Sequence, residues 1–376
     1  MKSRRRVHPA SVIGRQTLDA SREALMEPQV LDPTALRSFL VSIGREHELI
    51  GPVAREGNQH AFQVIEDLDQ LDLHYVHTIL PPKKYFLPTR EVLLEYRLSD
   101  GERSAAANTV RSRVIVGVHP CDLAGMRHLD LSLGGATEDL NFQSKRSASV
   151  IIGVECLPDE FCFCGSVGTL RPREGFDLFL LDLGEAWLLT VGTGRGEDLL
   201  KAHGVAGRAA VPADFEAREA HYLKKQEMQK ARIHSDAADL PLLFEGAFKD
   251  PVWEKVAQRC LGCGTCTQVC PTCYCFDMED DVNPLAGKGE RARSWDSCQL
   301  RAFTEVAGGE IFREKLSRRL RHRVYRKFHY LHTRFNEPNC TGCGRCGRQC
   351  VAGIRMDEVV NDLLASMVGV RTGGRR

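Results

Sequence analysis

Residues 260–276 read CLGCGTCTQVCPTCYCF, and residues 340–350 read CTGCGRCGRQC. The cysteines fall at 260, 263, 266 and 270, and again at 340, 343, 346 and 350. Both stretches therefore repeat C-x2-C-x2-C-x3-C. Three thiols set two residues apart can wrap a tight loop around one compact inorganic centre. A fourth, on the helix that follows, points away from it. Gly262, Gly264, Gly342 and Gly344 are placed to let the backbone pass close to that centre. The spacing predicts two [4Fe–4S] clusters with crossed ligation. One would take Cys260, Cys263, Cys266 and Cys350; the other would take Cys340, Cys343, Cys346 and Cys270.

A zinc site would present two ligand pairs divided by a spacer, not three evenly stepped thiols and a fourth. Pro271 follows the first motif in the manner of bacterial two-cluster ferredoxins, whereas Val351 follows the second. The gap from Cys270 to Cys340 is far longer than in a compact ferredoxin. It holds Phe312, Leu316, Leu320, Val324 and Phe328, one apolar residue every four, which predicts a helix with a buried stripe. Residues 245–376 thus read as a mainly α-helical, ferredoxin-like dicluster domain.

The whole chain has 376 residues, 43% of them apolar, which is enough for two globular domains. Lys plus Arg (51) nearly equals Asp plus Glu (50), leaving a net charge of +1 and no argument for nucleic acid or an anionic membrane. The opening MKSRRRVHPASVIGRQTLDASREALM contains no apolar run of secretory length, and no stretch approaches the roughly 20 apolar residues of a membrane span. An odd count of 15 cysteines fits full disulfide pairing badly. A cytoplasmic protein with reduced or metal-bound thiols is expected.

Residues 1–30 lack periodicity and read as a loose arm. Residues 31–240 read as an α/β domain. Asp32-Pro33 predicts a helix start, Leu36, Phe39, Leu40 and Ile43 its buried face, and Gly44 its end. PPKKYFLP at 81–88 is turn-like. RVIVGV at 113–118 and SVIIGV at 149–154 are short β-branched runs, the pattern of strands buried on both faces of a parallel sheet. DLAGMRHLDLSLGG between them completes a β-α-β unit. FDLFLLDLGEAWLLTV at 176–191 predicts a hairpin turning near Gly184-Glu185, and residues 197–232 predict charged helices leading to the second domain.

Cys121 lies just past RVIVGV, and Cys156 just past SVIIGV. Parallel neighbouring strands would bring both to the carboxyl edge of the sheet, where open α/β sheets bind ligands. Cys162 and Cys164 lie on the loop leaving the second strand and would fold over the same point. The four form a candidate third site, iron–sulfur in preference to zinc. Cys273, Cys275 and Cys298 remain, as packing near the clusters or as auxiliary thiols. Gly192-Thr-Gly194-Arg-Gly196 lacks dinucleotide-loop spacing and reads as an ordinary turn. The segment Arg313–Arg334 carries nine Lys/Arg, three His and one Glu. It reads as a solvated helix face, with docking to an acidic partner or offset of cluster charge as the alternative.

Taken in order, PPKKYFLP, GVHPCDLAGMRHLD, CLPDEFCFCGSVG, WDSCQL, RVYRKFHY and CTGCGRCGRQC resemble the iron–sulfur β subunits of sulfhydrogenases and the corresponding iron–sulfur subunits of anaerobic sulfite reductases. The resemblance spans about residues 35–365. It implies an electron carrier within a multi-subunit enzyme, beside a flavin- and NAD(P)H-binding subunit, together with a catalytic subunit of hydrogenase or sulfite reductase type. The expected function is a relay of single electrons between those partners, with no catalytic residue in the chain itself. The other reading is a reductase of a disulfide, polysulfide or similar sulfur species, acting at its own cluster with Cys298 or the Cys273/Cys275 pair.

Overall fold

The structure is a computed structural model that describes residues 26–57, 59–106, 111–135 and 138–373. Most of the expected N-terminal arm, residues 1–25, lies outside the described residues. Its end does not: Gln29–Leu31 form strand β1, paired on both sides.

Asp32 accepts a hydrogen bond from the Ala35 N–H at 2.8 Å, and Pro33 opens helix α1, Pro33–Glu46. Leu36, Phe39, Leu40 and Ile43 are buried along it, as their spacing predicts. The helix runs past Gly44 and stops where the chain turns into β2, Glu48–Arg55, and its hairpin partner β3, Gln59–Val64. A short turn at Pro82–Tyr85 leads to β4, Arg90–Arg97, and β5, Arg103–Ala105. Next come β6, Arg113–Val118; helices α2, Pro120–Leu133, and α3, Leu140–Ser147; then β7, Ser149–Val154. Strands β8, Leu178–Asp182, and β9, Trp187–Val191, form the expected antiparallel hairpin. Helix α4, Gly194–His203, strand β10, Arg208–Ala209, and helix α5, Pro212–Met228, follow.

The glycine-rich stretch at 192–196 is a helix start, not a turn. Thr193 caps α4, and Gly196 lies against the Asp177 carbonyl, where a Cβ would sit 2.1 Å away.

Eight strands form one mixed sheet in the order β10-β1-β9-β8-β7-β6-β2-β3. Pairs β2–β6, β6–β7 and β7–β8 are parallel. Both sheet faces are covered, so Val114, Ile115, Val116, Ile151 and Ile152 are all fully buried, which is why these strands read as unbroken apolar runs.

The remaining chain contributes α6, Leu240–Gly246; α7, Val252–Ala257; α8, Thr265–Gln268; strands β11, Phe276–Asn283, and β12, Lys288–Trp295; α9, Leu316–Tyr325; α10, Leu331–Phe335; α11, Arg345–Arg348; and α12, Met356–Gly373. One π-helical turn, Arg326–Tyr330, joins α9 to α10. Leu320, Val324 and Phe328 are buried as expected, but Phe312 precedes the helix and is exposed.

This part is not clearly mainly helical, because a long hairpin fills much of the gap between the cysteine motifs. The hairpin escapes notice in the sequence because β11 is exposed throughout and four acidic residues interrupt the alternation of Phe276, Met278 and Val282. Cross-strand pairs such as Arg291–Asp280, with N–H···O distances of 2.7 and 2.6 Å, support it instead. Strand β12 also pairs with β4, giving a second sheet, β11-β12-β4-β5, built from both halves of the chain. The second hydrophobic core likewise crosses the expected boundary. Phe163, Val167, Ala231 and Ile233 pack with Trp253, Tyr325, Phe328 and Val360.

One buried ion pair joins the halves where the cysteines meet. Arg345, in the second cysteine motif, grips Asp122 through two N–H···O bonds of 2.6 and 2.7 Å and donates to the Thr78 carbonyl and hydroxyl at 2.9 and 3.0 Å. Both side chains are closed off from solvent. Burial works against the guanidinium charge, but Asp122 outweighs it and holds the Arg345 pKa well above its usual value. Asp122→Ala would strand a buried cation. It is expected to destabilise the chain by about 3–5 kcal/mol, read from denaturant midpoints of wild type and variant.

Candidate metal centre

The β-α-β unit places Cys121 in the first turn of α2, at the carboxyl end of β6, and Cys156 just past β7. The loop after β7 folds back through Cys162 to a short helical turn at Cys164–Val167. All four thiols line one small pocket, and Cys343 of the second motif lines it too. Burial pushes every one of the four thiol pKa values up, that of Cys156 to about 12.

Four polar side chains bear on this pocket that the sequence reading did not single out. Lys225 and Glu155 form an ion pair in which each side chain is about 1% exposed. Lys225 also donates to the Leu170 carbonyl at 2.7 Å, and its charge opposes the upward push of burial on Cys156 and Cys164. Gln229 Nε2 lies 2.7 Å from Cys164 Sγ. On the other side His119 stacks flat on Tyr75 with centroids 3.9 Å apart, and burial drives its pKa well below the usual range.

The two ferredoxin-type loops show the same backbone. Gly262, Gly264, Gly342 and Gly344 have φ of 64°, 82°, 62° and 69°, conformations that favour glycine. What Gly342 and Gly344 admit is protein. A Cβ on Gly342 would lie 2.6 Å from the Cys164 backbone, and one on Gly344 2.5 Å from the Phe161 carbonyl. The loop bearing Cys162 and Cys164 is seated directly on the second motif. Phe163 N–H donates to the Gly342 carbonyl at 2.8 Å, and the Thr169 hydroxyl to the Thr341 carbonyl at 2.7 Å.

Across the motifs, the Cys340 thiol lies within electrostatic reach of Cys346 and Cys270, and Cys343 within reach of Cys270 and Cys346. Cys270 of the first motif therefore sits among the thiols of the second. Cys266 in turn lies within reach of Cys346, Cys298 and Cys260. Cys263 is exposed, its thiol pKa lowered by a hydrogen bond with Thr265, and Cys350 is half-buried beyond α11. Among the described residues, three donor atoms within 4.8 Å of one another occur at Glu46, His47 and His203, not at a cysteine set. The thiols are thus spread wider than around a single ion with metal–sulfur bonds of about 2.3 Å, an opening that suits a four-cornered cluster.

Cys273, Cys275 and Cys298 line a second small pocket with Arg323, Arg326 and Lys327. Lys83 donates to the Cys273 carbonyl at 2.7 Å, Arg323 to the Cys266 carbonyl at 3.2 Å, and Arg326 to the Tyr274 hydroxyl at 2.8 Å. Lys327 donates to Thr272 and, at 3.2 Å, to Asn339. Among the described residues none of these four cations has a carboxylate within salt-bridge distance. Burial alone would push the Lys327 pKa down, but Cys270, Cys273 and Cys340 as thiolates outweigh it and hold the pKa up. So the basic segment 313–334 is divided. Arg318 is exposed and Arg321 lies over Phe248, whereas Arg323 and Lys327, one helical turn apart, face sulfur.

Residues 259–354 match the model of a family described as the 4Fe-4S dicluster domain. The chain is 33% identical over 336 residues to subunit beta of sulfhydrogenase 2 from Pyrococcus furiosus, which covers 88% of this chain and 95% of that protein. No solved structure matches.

Gly342→Ala is expected to cost more stability than Gly57→Ala. Both residues have left-handed φ, but a Cβ at Gly57 meets nothing within 4 Å. The backbone term alone is about 1–2 kcal/mol. The excess at Gly342, read as a further fall in denaturation midpoint, measures how firmly the Cys162–Cys164 loop is seated.

Proposed function

The chain belongs to the family of sulfhydrogenase β subunits, and we propose that it relays single electrons through three iron–sulfur clusters. The first ferredoxin-type cluster takes Cys260, Cys263, Cys266 and Cys350; the second takes Cys340, Cys343, Cys346 and Cys270. The third takes Cys121, Cys156, Cys162 and Cys164. When bound, such clusters supply one-electron chemistry with potentials set by charge, hydrogen bonding and exposure. The chain's own contribution is position and electrostatics.

The observation that carries this reading is the place of Cys343. It belongs to the second motif and also borders the pocket of Cys121, Cys156, Cys162 and Cys164. Cys343 lies within electrostatic reach of Cys346 and Cys270, and Cys266 within reach of Cys346 and Cys260. Clusters on these thiols would form a series from the edge of the α/β sheet into the dicluster domain, the arrangement a relay needs. The buried cations fit the same occupants. Lys83, Arg323 and Lys327 face thiols rather than carboxylates, so anionic thiolate-ligated clusters would complete their charge. Gln229 beside Cys164 supplies a hydrogen bond of the kind that tunes a ligand sulfur.

The partners in this reading are a flavin- and NAD(P)H-binding subunit, together with a catalytic subunit of hydrogenase or sulfite reductase type, all in the cytoplasm. No helix among the described residues is long and apolar enough to cross a membrane.

Anaerobic purification from the native cell tests both parts. The co-purifying subunits should include a flavoprotein. Iron should reach about twelve atoms per chain, where two cubane clusters alone would give about eight. Cys156→Ser should lower the count by about four and leave the paramagnetic signals of the dithionite-reduced dicluster domain in place. A Cys156→Ser protein with unchanged iron would remove the third cluster from the relay.

A further inference from the structure

Cys275 and Cys298 line one small pocket together. The hairpin brings them together. Cys275 immediately precedes β11, and Cys298 lies three residues after the end of β12. The Asp296 N–H donates to the Cys275 carbonyl at 2.9 Å, which extends the ladder beyond the Phe276–Trp295 pair. The turn carrying Cys298 is fixed to the first cysteine motif. Ser297 Oγ bonds Thr267 Oγ1 at 2.8 Å, and the Gln299 N–H donates to Ser297 Oγ at 3.1 Å. Cys298 is 3% exposed and Cys275 half-buried, so bulk reagents meet Cys275 first.

This pair stands beside both ferredoxin-type motifs. Cys266 of the first lies within electrostatic reach of Cys298. Cys270 contacts Cys273, which lines the same pocket as the pair. Arg323, Arg326 and Lys327 wall that pocket, and no carboxylate lines it. Arg323 and Lys327 favour the thiolate at Cys298, and the thiolate is the reactive form in disulfide chemistry. The hydrogen bond from Cys275 is the largest influence on Cys298 and lowers its thiol pKa, while the same contact raises that of Cys275.

We infer that Cys275 and Cys298 form a redox-active pair that closes to a disulfide and reopens by exchanging electrons with the neighbouring iron–sulfur centres. On oxidation one S–S bond forms, whatever protons the two sulfurs hold leave to solvent, and two electrons pass, one at a time, to the clusters. Reduction reverses each term. The inference rests on the relay function for the identity of the electron donor and acceptor. It adds a two-electron store to a chain of one-electron carriers, where single transfers could be matched to the paired transfers of a hydride-handling flavin partner.

The test uses the full-length chain in its native complex, as wild type, Cys275→Ser and Cys298→Ser, prepared anaerobically. Samples are poised oxidised or reduced, quenched in acid, denatured and alkylated, and the chain is weighed. Reduced wild type should carry two more alkyl adducts than oxidised wild type, and the oxidised digest should contain a peptide joining residues 275 and 298. Both serine variants should lose that difference and keep wild-type iron. Reductive titration should take up about two electrons more per wild-type chain than per variant.

The inference is overturned if both thiols remain alkylatable in the oxidised protein, or if electron uptake is equal in wild type and variants. It is also overturned if a serine variant loses a cluster's worth of iron, since Cys275 or Cys298 would then be a metal ligand. Iron in the wild type reports on the relay, and adducts at 275 and 298 report on the pair. The two can therefore fail separately.

Discussion

A guanidinium and a carboxylate, both withdrawn from water, hold this molecule's sulfur chemistry in register. Arg345 is one residue from Cys346 and two from Cys343; Asp122 follows Cys121 directly. Their paired hydrogen bonds fix the distance between a thiol of the α/β sheet and the thiols of the dicluster domain. Burying such a pair is costly, and its net contribution to stability is small or negative compared with apolar packing. What it secures is geometry. An apolar contact at this point could slide, whereas a bidentate pair with Thr78 as a third anchor cannot.

The same electrostatic logic extends through the molecule. Two ion pairs near sulfur, Lys225–Glu155 and Arg345–Asp122, supply each cation with its own carboxylate. The cations at Lys83, Arg323, Arg326 and Lys327 are not so supplied, and at Arg323 and Lys327 the charges that offset burial are those of cysteine sulfur. Where a carboxylate is supplied the local charge is closed and rigid. Where none is supplied the local charge depends on how many electrons and protons the sulfur carries.

Much of this was legible in the sequence, and what was missed has identifiable causes. Buried parallel strands are continuous β-branched runs, so RVIVGV and SVIIGV disclosed both the sheet and the edge where Cys121 and Cys156 emerge. The doubled cysteine spacing disclosed the dicluster domain. The hairpin at 276–295 was hidden because its exposed strand β11 is dominated by charge and β12 buries only Gly289, Ala292 and Arg293. The roles of Lys83, Lys225 and Gln229 were hidden because each meets its thiol across a long stretch of chain, and a polar residue has the same local sequence whether it faces water or sulfur. Gly342 and Gly344 were legible as positions of close backbone approach. Their tenants were not, because the fit of the 161–164 loop against them is a long-range contact.

The shared four-stranded sheet has a bearing on how the chain is made. Strand β4 pairs with β12 about two hundred residues later, and the pocket begun by Cys121 is completed by Cys343. Contacts of such sequence separation form late, after the entropy of closing a long loop has been overcome. A ribosome-bound N-terminal half would expose the unpaired edge of β4 and an open cleft of thiols. Biogenesis would then be ordered by topology. Iron and sulfide could be enclosed correctly only once the last helix had left the ribosome, and until then the nascent edge would need shielding from other chains.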